Sequence, residues 1–120
     1  MFDWNNFLSF AKIAKPDHPE CFHRTAISRA YYAAFHNALD FLISRGQSLP
    51  TDATCHKVVP DSLKALATTD RNSNYFSAGD NLKRLRVKRR IADYESAPNV
   101  KFNDVQLAIR LAEQISIDCR

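Results

Sequence analysis

Apolar residues recur along this chain at helical spacing, and five helices follow from where the pattern starts and stops. Trp4, Phe7, Leu8 and Ala11 share one face of a first helix, over about residues 3–14. Lys15-Pro16-Asp17-His18-Pro19 breaks it, and Pro19 fits the first position of the next. That second helix, about 19–45, is the longest. Tyr32, Phe35, Leu39 and Leu42 form one of its stripes, while Ile27, Ala30, Ala34 and Phe41 cover much of the opposite side. A helix apolar nearly all round belongs at the centre of a fold. Its polar strip holds Arg29, His36 and Asp40, with Ala26 and Ala33 beside them. Gly46 suits a C-cap, and the following residues to Thr54 read as a loop.

A third helix is expected over about 55–68, with Val58, Val59, Leu63 and Leu66 inward. Pro60 requires that it fall near the start, or that the helix begin later. The polar stretch Thr68–Asn74 is the next expected loop. The fourth helix, about 74–95, has two apolar stripes: Ala78, Leu82, Leu85 and Ala92 on one side, Val87, Ile91 and Tyr94 roughly opposite. Residues 96–102 form a linker, and Asn103 with Gln106 is a variant capping box for a last helix over about 104–118. Val105, Ala108, Leu111, Ala112 and Ile115 supply its inner face.

These lengths and short connections predict an all-α antiparallel bundle of four to five helices in a single domain. The two-sided fourth helix keeps apolar surface to spare, which a homodimer would use. Two glycines and five prolines in 120 residues are too few for the tight turns of a sandwich or barrel. No run is long and apolar enough to span a membrane, and the start lacks the basic region of a secretory signal. Three scattered cysteines, Cys21, Cys55 and Cys119, suit reduced thiols in a cytoplasm.

Charge changes the picture more than composition does. Six of the 17 basic residues lie in 83–90, which leaves 11 against 13 acids elsewhere, so the basicity is one local patch. On the helical wheel Lys83, Arg86 and Arg90 take one flank, Arg84 and Lys88 the other. Arg89 falls inside the first apolar stripe, with Asp93 one turn on. A buried arginine needs such a partner. The pair is either a structural ion pair or a phosphate-binding arginine oriented by a carboxylate. The cationic flank points to RNA or another phosphate-rich partner, or is a solvated face.

His36, between Arg29 and Asp40 on one strip, is either an acid–base group or a half-exposed histidine bonded to Asp40. His56 reads as a helix cap or a surface residue. Tyr31, Tyr32 and Tyr75 offer stacking but at helical spacing fit a core. Cys21 and His23 are too sparse for zinc. With no glycine-rich phosphate loop, HExxH or GxSxG, the enzymatic option the residues favour is a site without metal or cofactor.

The chain resembles a known family. Trp4-x-x-Phe7-Leu8-x-x-Ala11, Arg24-Thr25-Ala26-Ile27-Ser28-Arg29-Ala30-Tyr31-Tyr32-Ala33-Ala34-Phe35-His36, His56-Lys57-Val58-Val59 and Arg89-Arg90-Ile91-Ala92-Asp93-Tyr94 occur in the order seen in prokaryotic HEPN-domain proteins. The resemblance implies a dimerising helical bundle and, for many members, a metal-independent ribonuclease that uses the RNA's own 2′-hydroxyl. Such proteins are often toxins or defence-system components, some paired with a small nucleotidyltransferase. Their usual site is an arginine, a polar residue and a histidine four to six residues after the arginine, doubled at the dimer seam. Arg89 matches the arginine, but Tyr94 stands where the histidine is expected. Taken with the basic patch, this points to RNA or phosphate binding by Arg89, Lys83, Arg86, Arg90 and Arg29, with Asp93 orienting Arg89. Proton transfer, if any, would fall to Tyr94 or His36. The alternative is a non-catalytic interaction module that docks a partner such as the nucleotidyltransferase.

Overall fold

The computed structural model describes residues 1–120 and is entirely helical: α1 (Asn5–Ala11), α2 (Glu20–Ser44), α3 (Cys55–Asp70), α4 (Ser73–Tyr94) and α5 (Phe102–Asp118). No helix is long and apolar enough to cross a membrane. Helix α2 is central and touches all four others. Tyr31, Ile27 and Leu42 of α2 are fully buried, along with Leu63, Leu82, Leu85 and Ile115 from the helices around it. This is the all-round burial that its two apolar sides require.

The side-chain pairings fix the helix directions. Trp4, just ahead of α1, and Phe7 within it lie beside His36 and Arg29, so α1 runs against α2. Arg24 meets the end of α4 and Arg45 meets Tyr75 near its start, so α4 also runs against α2. Helix α3 departs from the expected antiparallel order. Its His56 meets Tyr31 and its Asp70 meets Arg45, so α2 and α3 point the same way. Residues 45–54 must therefore carry the chain back along about 20 Å of α2 before α3 begins.

Several helix ends differ from expectation for local reasons. Gly46 does close α2, at φ 83°. The Gln47 amide bonds the Leu42 carbonyl and the Gly46 amide bonds Ile43, which is a Schellman end. Helix α3 continues through Thr68–Asp70 and stops at Arg71, whose φ of 52° is left-handed. Asn72 then caps α4 through the Asn74 amide at 3.0 Å, so the connection is two residues, not seven. Pro60 is the sixth of 16 residues in α3 and fully buried. Lacking an amide hydrogen, it leaves the His56 carbonyl without its helical partner. Helix α5 starts at Phe102, ahead of the expected Asn103 cap, because the Asp104 carboxylate takes the Lys101 amide at 2.8 Å.

Helices α3 and α4 touch most closely at Gly79, where an added Cβ would lie 2.6 Å from the Pro60 carbonyl oxygen. On α4 the first apolar stripe is buried as expected, Arg89 included. Of the second stripe, Val87 is 58% and Tyr94 75% exposed, while Ile91 is half-buried.

Candidate functional site

The site is built around Arg89, which α4 turns inward between Leu85 and Ala92, leaving it 7% exposed. Its guanidinium carbon lies 5.2 Å from the ring centre of Tyr31, 5.7 Å from that of Tyr32 and 5.7 Å from that of Tyr94. Three ring faces around one cation offset part of its lost hydration. Solvent reaches Tyr94 freely, Tyr32 in part and Tyr31 not at all.

Asp93 is less of a partner than its spacing implies. Its Oδ2 stands 3.7 Å from Arg89 Nη1, an ion pair without a hydrogen bond. The Ser28 hydroxyl donates to that same oxygen at 3.1 Å, and Arg29 donates to Ser28 at 3.3 Å. Asp93, Ser28 and Arg29 thus form a relay across the α2–α4 contact. Arg29 itself stacks on Phe7 at 4.6 Å and on Tyr32 at 5.2 Å. The Nε atoms of Arg86 and Arg89 are both buried and unbonded, the only side-chain nitrogens or oxygens in the fold of which this is true. Each such donor is a cost to folding.

The polar strip of α2 is covered only in part: Arg29 and His36 are half-buried, and Asp40 stays exposed. Helix α1 lies across it, burying Ala26 and Ala33 and laying Trp4 on His36. The expected His36–Asp40 hydrogen bond is absent. Burial pushes the His36 proton affinity below its ordinary value, with the Asp40 charge acting the other way.

Arg86 and Arg90 face a second feature, a shallow cavity of about 320 Å³ between α3 and α4, lined also by His56, Lys57, Lys83 and Val87. Lys83 is bridged to Asp61 at 2.6 Å. Lys57, Arg86 and Arg90 make no ion pair, although the Asp61 carboxylate also feels the Lys57 charge, so the cavity stays net cationic.

His56 is no cap, and it reaches the surface only in part. Its ring stacks on Phe35, centroids 4.7 Å apart, and its Nδ1 lies 2.7 Å from the Tyr31 hydroxyl. Burial, followed by the charges of Arg89 and Arg86, pushes its proton affinity below the ordinary value. Burial pushes that of Tyr31 up. The overlooked signal was phase: His56 falls in step with Val59, Leu63 and Leu66, which places it on the inward side of α3.

Of the residues singled out from the sequence, Arg89, Asp93, Tyr94 and Arg29 are gathered at one end of the α2–α4 contact. His36 stands one ring further along, its centroid 6.4 Å from that of Tyr32. Arg86, Arg90 and Lys83 belong to the adjoining cavity. Arg24, the first residue of the longest motif, sits elsewhere. Its Nη1 donates to the carbonyls of Ile91, Ala92 and Glu95, and its Nη2 to that of Pro98. It is a cap for the end of α4. No three of the chain's histidine, cysteine, aspartate and glutamate side chains gather as a metal site would require. Comparison with protein-family models, curated proteins and solved structures returns no match to this chain.

Proposed function

We propose that this chain is a HEPN-like, homodimeric RNA-binding protein whose phosphate contacts centre on Arg89 and extend along Arg86 and Arg90. The observation that carries this reading is the seat of Arg89. It is nearly dry, stacked among three tyrosines, with Nε unbonded and its carboxylate partner 3.7 Å away. A guanidinium so placed weakens the fold, and in return offers a fixed planar fork to a phosphate. The exposed Val87 and Tyr94 side chains on one face of α4 favour a second copy as the cover for that face. In that arrangement two Arg89 seats share a seam, as befits a toxin or defence-system component.

The test measures binding of single-stranded RNA to the wild type and to Arg89→Ala at two salt concentrations. The wild type is expected to bind with a log–log salt slope of about −2, from three cationic contacts at about 0.7 each. Arg89→Ala is expected to lose about tenfold or more. Affinity indifferent to salt would sink the reading, and a wild type that scatters light as a monomer would remove the shared seam. Scission of cellular RNA in EDTA by the wild type alone would add metal-independent ribonuclease activity.

The same exposed Val87 and Tyr94 support a second reading, a helical module that docks another protein such as a nucleotidyltransferase. Co-purification with a neighbour-encoded protein, with no affinity for RNA, would favour it.

A further inference from the structure

His56 is held in one tautomer by its surroundings. Tyr31 is fully buried, and its hydroxyl touches no acceptor other than His56 Nδ1, at 2.7 Å. A buried phenol proton without an acceptor is costly, so the hydroxyl donates and Nδ1 accepts. In a neutral imidazole the ring proton then resides on Nε2. Nε2 has no hydrogen-bond partner in the protein, yet it is not among the buried unbonded atoms. It therefore opens to solvent where His56 lines the cationic cavity. An outward N–H in a cavity with three cations outside any ion pair is a donor set for an anion.

We infer that His56 Nε2–H donates to a phosphodiester oxygen of RNA bound in the α3–α4 cavity, and that Tyr31 is the positioning residue that fixes this tautomer. The inference rests on the RNA reading given above. It also excludes a role: with its Nδ1 lone pair committed to Tyr31 and its Nε2 protonated, His56 is not a general base.

Burial and the charges of Arg89, Arg86 and His36 act to keep the imidazole neutral. Tyr31, Tyr32 and His36 face it from α2, and Arg86 and Arg89 from α4, with Cys55 and Lys57 beside it on α3. The carboxylates in this region act on its neighbours, Asp61 on Lys83 and Asp52 on Cys55. Protonating Nδ1 would also leave the buried Tyr31 hydroxyl proton without an acceptor.

Long-range proton–nitrogen spectra of the ¹⁵N-labelled wild type read the tautomer directly and need no variant. We expect the Nε2–H form at about pH 7 and above. Adding a short single-stranded oligouridylate should shift the Nε2 resonance. His56→Ala should weaken that oligonucleotide's binding about tenfold, and His56→Gln, whose amide keeps an outward donor, should restore part of it. Tyr31→Phe keeps the ring and should let His56 titrate at a higher pH. An Nδ1–H tautomer, an imidazolium at neutral pH, or wild-type affinity in His56→Ala would overturn this inference alone. A wild type that binds no RNA would overturn the RNA reading and this inference with it.

Discussion

Trp4 lies flat against His36, their ring centroids 3.5 Å apart and their planes within 8° of parallel. The contact seals α1 onto α2 and withdraws one imidazole from water, much as Tyr31 and Phe35 withdraw His56.

Stability should therefore fall in mild acid. Both histidines are pushed below their ordinary value of 6.5 by burial. A group with a depressed folded value contributes stability that is present above the unfolded value and is lost as pH falls through the folded one. Urea unfolding should give equal stability at about pH 8 and 7 and a decline below about 6.5. Glu20, Asp52 and Asp61, whose values are lowered by hydrogen bonds, should act only at more acid pH. Trp4→Ala should flatten part of the decline by re-wetting His36. A stability unchanged between about pH 7 and 5.5 would contradict this.

Arg24→Ala should cost about 3 kcal/mol or more, through lost charge-assisted bonds to carbonyls that are otherwise orphaned at the end of α4. Circular dichroism should show a Tm lower by roughly 10 °C. Arg24→Lys should recover little, since one ammonium cannot span acceptors on Ile91, Glu95 and Pro98.

Arg89→Met should separate stability from binding. Removing a buried cation with an unbonded Nε and a distant carboxylate is expected to leave the Tm unchanged or raise it. The same variant should lose RNA affinity and about 0.7 of the salt slope. A large drop in Tm would mean that the three tyrosines and Asp93 outweigh the cost of burial.

Gly79→Ala should destabilise despite the better helix propensity of alanine, about 1 kcal/mol. The new methyl would meet the Pro60 carbonyl oxygen at 2.6 Å and Lys64 Cγ at 2.9 Å. The lysine can move, but the backbone oxygen cannot without shifting α3. A net loss of about 1–3 kcal/mol is expected from chemical denaturation.

The helices were legible because each carries its own period and punctuation. The burial of Arg89 was legible too, since a wheel places it between Leu82, Leu85 and Ala92. What escaped depends on distant parts of the chain. Arg24 finds its carbonyl partners in residues 91–98, and nothing near it in sequence announces them. The parallel course of α3 is set by where the loop after Gly46 lands, which no local pattern encodes. His56 was misjudged because its place in the first turn of α3 outweighed its phase. Trp4 and Phe7 were legible as apolar, but not as the cover over His36 and Arg29.

Arg24 and Glu20 also bind the connection between α4 and α5 at both ends. Arg24 takes the Glu95 and Pro98 carbonyls, and the Glu20 carboxylate takes the Val100 amide at 3.1 Å. The peptide bonds in between contribute reach rather than cohesion, with Ser96 and Ala97 both exposed. A nick between those two residues would leave α5 seated along α2. The two pieces, expressed as separate chains, should find each other and rebuild the fold.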